Sequence, residues 1–181
     1  MKDFIYPEMM IHLPLCTSKN PQNILIVSDS ADKLAKEALK HNELEIKAIE
    51  CSLDALSGLE SASVDVIVCE MDADELVLSQ INRILKDDGL ISVKHPSLDE
   101  VDANTKLINN IGRYFKIVMP YNLGNCSTAL LASKEYHPTA DINLHRADML
   151  DGVEFYNCDV HIASFAMGNY IRKQYLGIIK N

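Results

Sequence analysis

The chain has 181 residues, 48% of them hydrophobic and 24% charged, and this length suits one domain with a single core. Its net charge of −9 argues against nucleic acid as a partner and is compatible with a cationic substrate. The apolar runs are shorter than the roughly 18 residues of a membrane span, and no signal-peptide core follows the N-terminus. We therefore expect a cytoplasmic protein whose residues 1–181 form one domain.

Apolar runs and amphipathic segments alternate from residue 23 to residue 111, which predicts alternating strands and helices. The predicted strands cover residues 23–27, 45–50, 64–69 and 90–94. The predicted helices cover about residues 30–41, 53–59, 76–85 and 98–111. In the first of these helices, Leu34, Ala38 and Leu39 are expected on the core side. The third is expected to end at the turn 87–89, where Gly89 lies near its C-cap.

The pattern changes after residue 111. Residues 114–119 and 128–132 predict two strands without a helix between them, joined by a turn over 120–125. Such a pair is expected to be antiparallel at the edge of the sheet. Loops and helices are expected for the remainder, 135–181. The sequence thus predicts the α/β class: a doubly wound, Rossmann-like sheet of the class I S-adenosylmethionine-dependent methyltransferase type.

Acidic residues follow three of the predicted strands, at the edge where open α/β sheets bind ligands. Asp29 and Glu50 are 21 residues apart, close to the offset of about 20 residues for an acid that binds a ribose diol. The alternative for Glu50 is a solvated acid at a strand end. Glu70 and Asp72 follow the third strand. A partly buried Glu70 with a raised pKa would serve as a general base, and the alternative is a helix-capping acid.

Other kinds of site find little support. The six histidines lack paired spacings such as H-x-H or H-E-x-x-H, so no metal site is expected. The five cysteines have no C-x-x-C spacing, which argues against a disulfide framework. There is no G-x-S-x-G motif and no cysteine–histidine signature, so acyl transfer is not expected.

Five segments resemble motifs of one known family. Residues 3–15, DFIYPEMMIHLPL, resemble an "EFxYxEMxxHxPL" helix. Residues 155–166, FYNCDVHIASFA, resemble a "YYNxxxHxAAFxLP" segment. Between them, residues 64–70, 85–93 and 120–125 resemble "FDVIIxD", "LxPGGxxxxQ" and "PTYxGG". These are motifs of the spermidine synthase family of polyamine aminopropyltransferases, which the sequence resembles over nearly its whole length.

This resemblance implies transfer of an aminopropyl group from decarboxylated S-adenosylmethionine to putrescine, giving spermidine and 5′-methylthioadenosine. Glu70 would deprotonate the attacking amine, with Tyr6 and Tyr156 beside it, and Glu50 would bind the ribose. Asp29 and Asp72 are further candidate substrate-binding residues. Decarboxylated S-adenosylmethionine would be a co-substrate, with no permanently bound cofactor, and a homodimer is compatible with the family.

Several features depart from the family pattern. The family's "GGGDGG" loop is SDSADK here, at residues 28–33, and Ala31 stands in place of an acid, for which Asp29 or Asp32 would have to substitute. A glutamate replaces the aspartate at position 70, and the stretch 50–64 is too short for the family's next helix and strand. The family's N-terminal β-domain is expected to be absent.

These departures leave two alternatives to an active aminopropyltransferase. One is a catalytically impaired paralogue that binds a nucleoside, a polyamine or a protein partner, which the missing glycines favour. The other is a methyltransferase-like enzyme on the same fold. Retention of Tyr6 and Tyr156 favours aminopropyl transfer over methyl transfer.

Overall fold

The computed structural model describes residues 2–124 and 127–181. The predicted turn over 120–125 therefore lies partly outside the described residues, at Asn125. Within the described part, strands and helices alternate up to residue 111 and an antiparallel strand pair follows. The strands are β1 (Asn23–Val27), β2 (Glu45–Ile49), β3 (Val64–Cys69), β4 (Leu85–Lys94), β5 (Ile117–Asn122) and β6 (Thr128–Ser133). The helices are α1 (Ile5–Thr17), α2 (Asp32–Ala38), α3 (Leu53–Ser57), α4 (Glu75–Ile84), α5 (Val101–Ile111), α6 (Leu144–Asp148), α7 (Cys158–Ala163) and α8 (Asn169–Gln174).

The described strands form one sheet in the order β2-β1-β3-β4-β6-β5. β1 to β4 are parallel to one another, whereas β6 is antiparallel to both β4 and β5. The chain leaves β1 towards β2 on one side and returns to β3 on the other. The strand order therefore reverses between β1 and β3, and a crevice at their carboxyl ends is the expected ligand site of such a sheet.

Side chains alternate between two apolar layers, one on each face of the sheet. On β1, Leu25 and Val27 join the layer covered by α3, α4, α5 and α8. Ile24 and Ile26 join the opposite layer with α1, α2 and α6. Because β1 and β3 are buried on both faces, their sequences are continuous apolar runs rather than alternating ones.

Helix α1 is enclosed on all sides, with residues 7–17 all buried. Its buried Glu8 carboxylate accepts hydrogen bonds from the backbone N–H groups of Glu154, Phe155 and Tyr156, at 2.9, 2.8 and 2.9 Å. Charge-assisted bonds of this kind are among the stronger ones in proteins. They fasten the segment before α7 to the start of α1, so the two terminal segments that resemble the family pack against each other.

The prediction for the helix before β4 is wrong at its end. The helix stops at Ile84, and Leu85 already has extended dihedrals and pairs with Val64 of β3. Gly89 lies against Leu85: a Cβ at Gly89 would lie 2.8 Å from Leu85 Cδ2. The glycine therefore permits an irregular start of β4, where the register with β3 shifts, rather than a helix C-cap.

Two other expectations need correction. Helix α2 ends at Ala38, so Leu39 is 71% exposed instead of facing the core. The fifth strand begins at Ile117, later than predicted, because the amides of Tyr114 and Phe115 still bond to the Ile111 carbonyl at the end of α5. The fold class is nevertheless the predicted one.

Candidate active site

The carboxylate of Glu70 lies directly after β3, at the crevice between the ends of β1 and β3. Its backbone N–H donates to Val27 of β1, which fixes the residue beside the neighbouring strand end. The Tyr6 hydroxyl, from the first turn of α1, donates to Glu70 Oε1 at 2.5 Å. The Ser28 hydroxyl, directly after β1, donates to Oε2. Three separate segments thus hold one carboxylate.

Lys94, the last residue of β4, completes this cluster. Its Nζ lies 3.3 Å from Glu70 Oε1 and 5.8 Å from the centroid of the Tyr6 ring. Burial tends to raise the pKa of Glu70, but the hydrogen bonds from Ser28 and Tyr6 and the Lys94 ammonium outweigh it and lower that pKa. The predicted raised pKa of Glu70 is therefore wrong. Burial and the Glu70 carboxylate raise the pKa of Tyr6, which keeps its hydroxyl protonated as a donor.

A cavity of about 280 Å³ opens beside Glu70, towards the lower end of small-ligand sites. Tyr6 and Pro7 of α1 form one wall, and Ser30 and Leu34 form another. Lys2, Asp3 and Lys33 stand at its rim, where the Lys33 ammonium pairs loosely with Asp3 at 3.4 Å. The cavity combines an apolar wall with a carboxylate, an arrangement that suits an amine or sulfonium ligand.

The glycine-free loop over residues 28–33 contains no residue with positive φ. It turns by having the Ser28 hydroxyl accept from the Ser30 backbone N–H at 3.0 Å, after which α2 begins at Asp32. Side chains of this loop, those of Ser30 and Lys33, line the cavity. The cavity wall thus carries side chains where the family pattern has glycines.

Asp29 and Glu50 lie together at the ends of β1 and β2. The Asp29 carboxylate accepts the backbone N–H of Cys51 at 2.9 Å, so it braces the loop after β2. Glu50 is exposed and its side chain has no hydrogen-bond partner in the described part of the chain. Neither residue lines the cavity at Glu70. The Glu50 carboxylate is therefore available to a ligand, whereas the Asp29 carboxylate already accepts one hydrogen bond from Cys51.

Asp72 is exposed just beyond Glu70. It lines an adjacent cavity of about 430 Å³ together with Asp74 and Lys94. Lys94 thus stands between the two cavities, with Glu70 on one side and two further carboxylates on the other.

Tyr156 occupies a different place from Tyr6. Its side chain is 2% exposed and packs against His12, with ring centroids 5.3 Å apart. Its hydroxyl lies 2.8 Å from His161 Nδ1, and His161 Nε2 lies 2.9 Å from the Pro138 carbonyl oxygen. Because a carbonyl only accepts, His161 carries its proton on Nε2 and Tyr156 donates to Nδ1. This pairing directs the Tyr156 hydroxyl into the core, so the geometry does not support contact with the reacting atoms.

Sequence reasoning missed Ser28 and Lys94. Both are found at carboxyl ends of strands, Ser28 directly after β1 and Lys94 at the end of β4. The rule that ligands bind at this edge applied to them as well as to the acids. The prediction considered only acidic residues, so it omitted the Ser28 hydroxyl and the Lys94 ammonium, which lower the pKa of Glu70.

Among the described residues, no group of three or more His, Cys, Asp and Glu side chains is placed to hold a metal ion. No helix in residues 2–124 and 127–181 is both long and apolar enough to cross a bilayer.

Known proteins resemble this chain over most of its length. The family model of the spermine/spermidine synthase domain matches residues 3–74. The polyamine aminopropyltransferase of Helicobacter acinonychis is 29% identical over 198 residues, which cover 92% of this chain and 75% of that protein. The polyamine aminopropyltransferase of Thermotoga petrophila is 23% identical, covering 98% of this chain and 76% of the relative.

Solved structures share the fold. Spermidine synthase from Thermotoga maritima has a TM-score of 0.83 at 20% identity, covering 98% of this chain and 76% of that chain. A spermidine synthase bound to the transition-state analogue AdoDATO also gives 0.83, at 22% identity and the same coverage. Phosphoethanolamine N-methyltransferase 2 of Haemonchus contortus gives 0.56 at 12% identity, covering 74% of this chain and 38% of that chain. These likenesses confirm the predicted methyltransferase-like α/β fold.

The matched residues 3–74 include helix α1, the carboxyl ends of β1 and β3, and Glu70. The relatives extend the match to the C-terminal segment that Glu8 fastens to α1. Sequence segments, fold and relatives agree: residues 3–74 match the spermine/spermidine synthase domain, and the chain as a whole is similar to polyamine aminopropyltransferases.

Proposed function

We propose that the chain transfers an aminopropyl group from decarboxylated S-adenosylmethionine to putrescine, giving spermidine and 5′-methylthioadenosine. The observation that carries the proposal is the Glu70 carboxylate, held by Tyr6 at 2.5 Å beside a cavity at the strand-order reversal. It occurs in a chain whose curated relatives are polyamine aminopropyltransferases. On this proposal residues 1–181 act as one catalytic domain, working in the cytoplasm on small molecules.

The reaction is a displacement at carbon. The amine nitrogen attacks the methylene carbon bonded to the sulfonium, the new C–N bond forms, and the C–S bond breaks. Its electron pair stays on sulfur, which leaves as a neutral thioether, and the amine gives up one proton. Holding the two cationic substrates in line and accepting that proton are the tasks left to the protein.

Glu70 suits both tasks. Its lowered pKa keeps it ionised at neutral pH, so it attracts the acceptor's ammonium group. The same lowered pKa weakens it as a base, so proton transfer depends on its position beside the amine. Tyr6 orients it through their hydrogen bond, and Ser28 fixes its other oxygen. In this scheme Tyr6 is a contact of the amine, and Tyr156 supports the fold rather than the reaction.

The nucleoside end of the co-substrate is proposed to lie over the ends of β1 and β2. The exposed, unpaired Glu50 carboxylate would accept hydrogen bonds from the ribose hydroxyls. Asp29 would act beside it while bracing the Cys51 amide, and Asp72 would contact the aminopropyl side. The proposed site uses residues of one chain, and the expected homodimer is not needed to form it.

The second candidate is a catalytically impaired paralogue that binds nucleosides or polyamines. Two observations favour it: side chains of the glycine-free loop line the cavity, and Lys94 already neutralises Glu70. The methyltransferase-like alternative gains nothing from the site, because the Tyr6–Glu70 pair offers nothing specific to methyl transfer.

Mass spectrometry of a reaction with decarboxylated S-adenosylmethionine and putrescine separates these candidates. Formation of methylthioadenosine and spermidine in equal amounts supports the transferase, and neither product above the enzyme-free blank rejects it. Thermal unfolding with methylthioadenosine is measured in parallel. A rise in melting temperature without turnover would indicate the binding-only paralogue.

A further inference from the structure

Both oxygens of the Glu70 carboxylate already have partners within the chain. Oε1 accepts from the Tyr6 hydroxyl and lies 3.3 Å from Lys94 Nζ, and Oε2 accepts from Ser28. Ser28 is buried and Tyr6 is partly buried, whereas the Lys94 side chain is 51% exposed. An incoming ammonium that pairs with Glu70 therefore competes with Lys94, the partner with the most freedom to leave.

The surroundings of the Lys94 ammonium are those that an alkylammonium ligand would seek. It has a carboxylate at 3.3 Å and an aromatic ring at 5.8 Å, both from the groups that form the cavity wall. A carboxylate and an aromatic face together recognise organic cations. Lys94 thus fills the position on Glu70 that the proposed acceptor amine would use.

The charge around the cavity also disfavours a diamine while Lys94 stays there. Lys2 and Lys33 balance Asp3 and Glu70 along the cavity lining. Lys94, paired with Glu70, adds one positive charge to this neutral set. A dicationic ligand therefore meets a surrounding of net positive charge, which becomes neutral once that lysine moves away.

The Lys94 side chain also borders a second cavity, towards which its ammonium can turn. Asp72 and Asp74 line the adjacent cavity of about 430 Å³ together with Lys94 itself. An ammonium that turns from Glu70 towards this second cavity meets the exposed carboxylates of Asp72 and Asp74, of which Asp74 also caps α4 by accepting from the Val77 backbone N–H. The Lys94 side chain is 51% exposed and that of Glu70 is 15% exposed, so solvent screens their ion pair in part and eases the exchange.

We propose that Lys94 is a specificity-determining residue: it occupies the acceptor's ammonium position on Glu70 and weakens diamine binding until it turns towards Asp72 and Asp74. The inference rests on the proposed function, since it assigns the acceptor amine to Glu70. It makes Lys94 an internal competitor of the substrate.

Calorimetric titration with putrescine tests the proposal in wild type, Lys94→Gln, Lys94→Arg and Lys36→Gln. Lys36 is an exposed residue of α2 outside the cavity lining, so its variant removes the same charge away from Glu70. Lys94→Gln is expected to bind putrescine about fivefold more tightly, because the competing half-exposed ammonium is removed from Glu70. Lys94→Arg should resemble wild type, and Lys36→Gln should stay within about twofold.

Unchanged or weaker putrescine binding by Lys94→Gln overturns the proposal, as does equal tightening in Lys36→Gln. Lys94→Met, which keeps the chain length without the charge, repeats the test if the glutamine variant does not fold. Steady-state assays separate this from the proposed function. If Lys94→Gln binds putrescine more tightly but no variant forms product, the role of Lys94 holds and aminopropyl transfer is rejected. If the proteins turn over and Lys94→Gln has the wild-type KM for putrescine, transfer holds and the role of Lys94 is rejected.

Discussion

The Tyr6 hydroxyl donates a hydrogen bond to Glu70 Oε1 at 2.5 Å, across 64 positions of sequence. Tyr6 belongs to the first turn of α1, and Glu70 follows β3 at the reversal of strand order. The bond joins the helix that precedes the sheet to the edge where the sheet binds ligands. It gives the proposed base a fixed orientation before any substrate arrives.

Replacing Glu70 with glutamine should lower the rate of methylthioadenosine formation at least about a hundredfold, since an amide neither accepts the proton nor attracts the ammonium. Product is measured by mass spectrometry under single-turnover conditions. Glu75→Gln is the control, because Glu75 is 71% exposed and pairs with Arg113 away from the Glu70 cavity. Equal rates for Glu70→Gln and wild type would reject Glu70 as the base.

Tyr6 should matter for activity and Tyr156 for stability. Tyr6→Phe removes a charge-assisted hydrogen bond at the reacting carboxylate, so kcat/KM should fall by about tenfold or more. Tyr156→Phe should leave kcat within about twofold at low temperature but lower the free energy of unfolding by about 1–2 kcal/mol, because His161 Nδ1 loses its buried donor. Urea unfolding and steady-state kinetics on both variants check this. A large loss of kcat in a stably folded Tyr156→Phe would restore a catalytic role for Tyr156.

Glu8 should matter mainly for stability. Glu8→Ala leaves three backbone N–H groups before α7 without their acceptor, so the free energy of unfolding should fall by about 3 kcal/mol or more. Glu154→Ala serves as the control, since that exposed side chain is outside the buried contact and should change stability by about 0.5 kcal/mol at most. Similar urea midpoints for Glu8→Ala and wild type would contradict the role of this carboxylate.

Stability should also depend on pH through the buried His161 and the half-buried His41. Burial lowers the pKa of His161 to about 4, and burial together with the nearby His12 lowers the pKa of His41 to about 3. Both pKa values are depressed from about 6.5, so the contribution of neutral histidine to stability is complete above that pH and is lost as the pH falls towards 4. Each histidine should give a slope of at most about 1.4 kcal/mol per pH unit within this window.

Urea unfolding between pH 7 and pH 4.5 measures that slope. His161→Gln should reduce it, because one depressed pKa is removed. His145→Gln should leave it unchanged, since His145 is exposed on α6. An identical slope in all three proteins would show that His161 is not a source of the pH dependence.

Much of the fold follows from local sequence pattern. Continuous apolar runs mark β1 and β3 because both strands are buried on both faces, and the helix-free interval after residue 111 marks the antiparallel pair. The ends of elements were less predictable. Leu85 is apolar and continues the helical spacing of α4, but pairing with Val64 gives it an extended backbone. A contact between strands decided that boundary, and no local signal reports it.

The sequence by itself determined the alternation of strands and helices, the edge of the sheet that carries the acids, and the resemblance to aminopropyltransferase motifs, because periodicity and short motifs are local properties of the chain. Tertiary structure alone decided that Tyr6 reaches Glu70 while Tyr156 turns to His161, since both are tyrosines in family-like segments and only packing separates them. Tertiary structure also decided that the Lys94 ammonium forms an ion pair with the Glu70 carboxylate. That pairing joins the ends of two neighbouring strands, and the charge of a site is the sum over all residues that folding brings within a few ångströms.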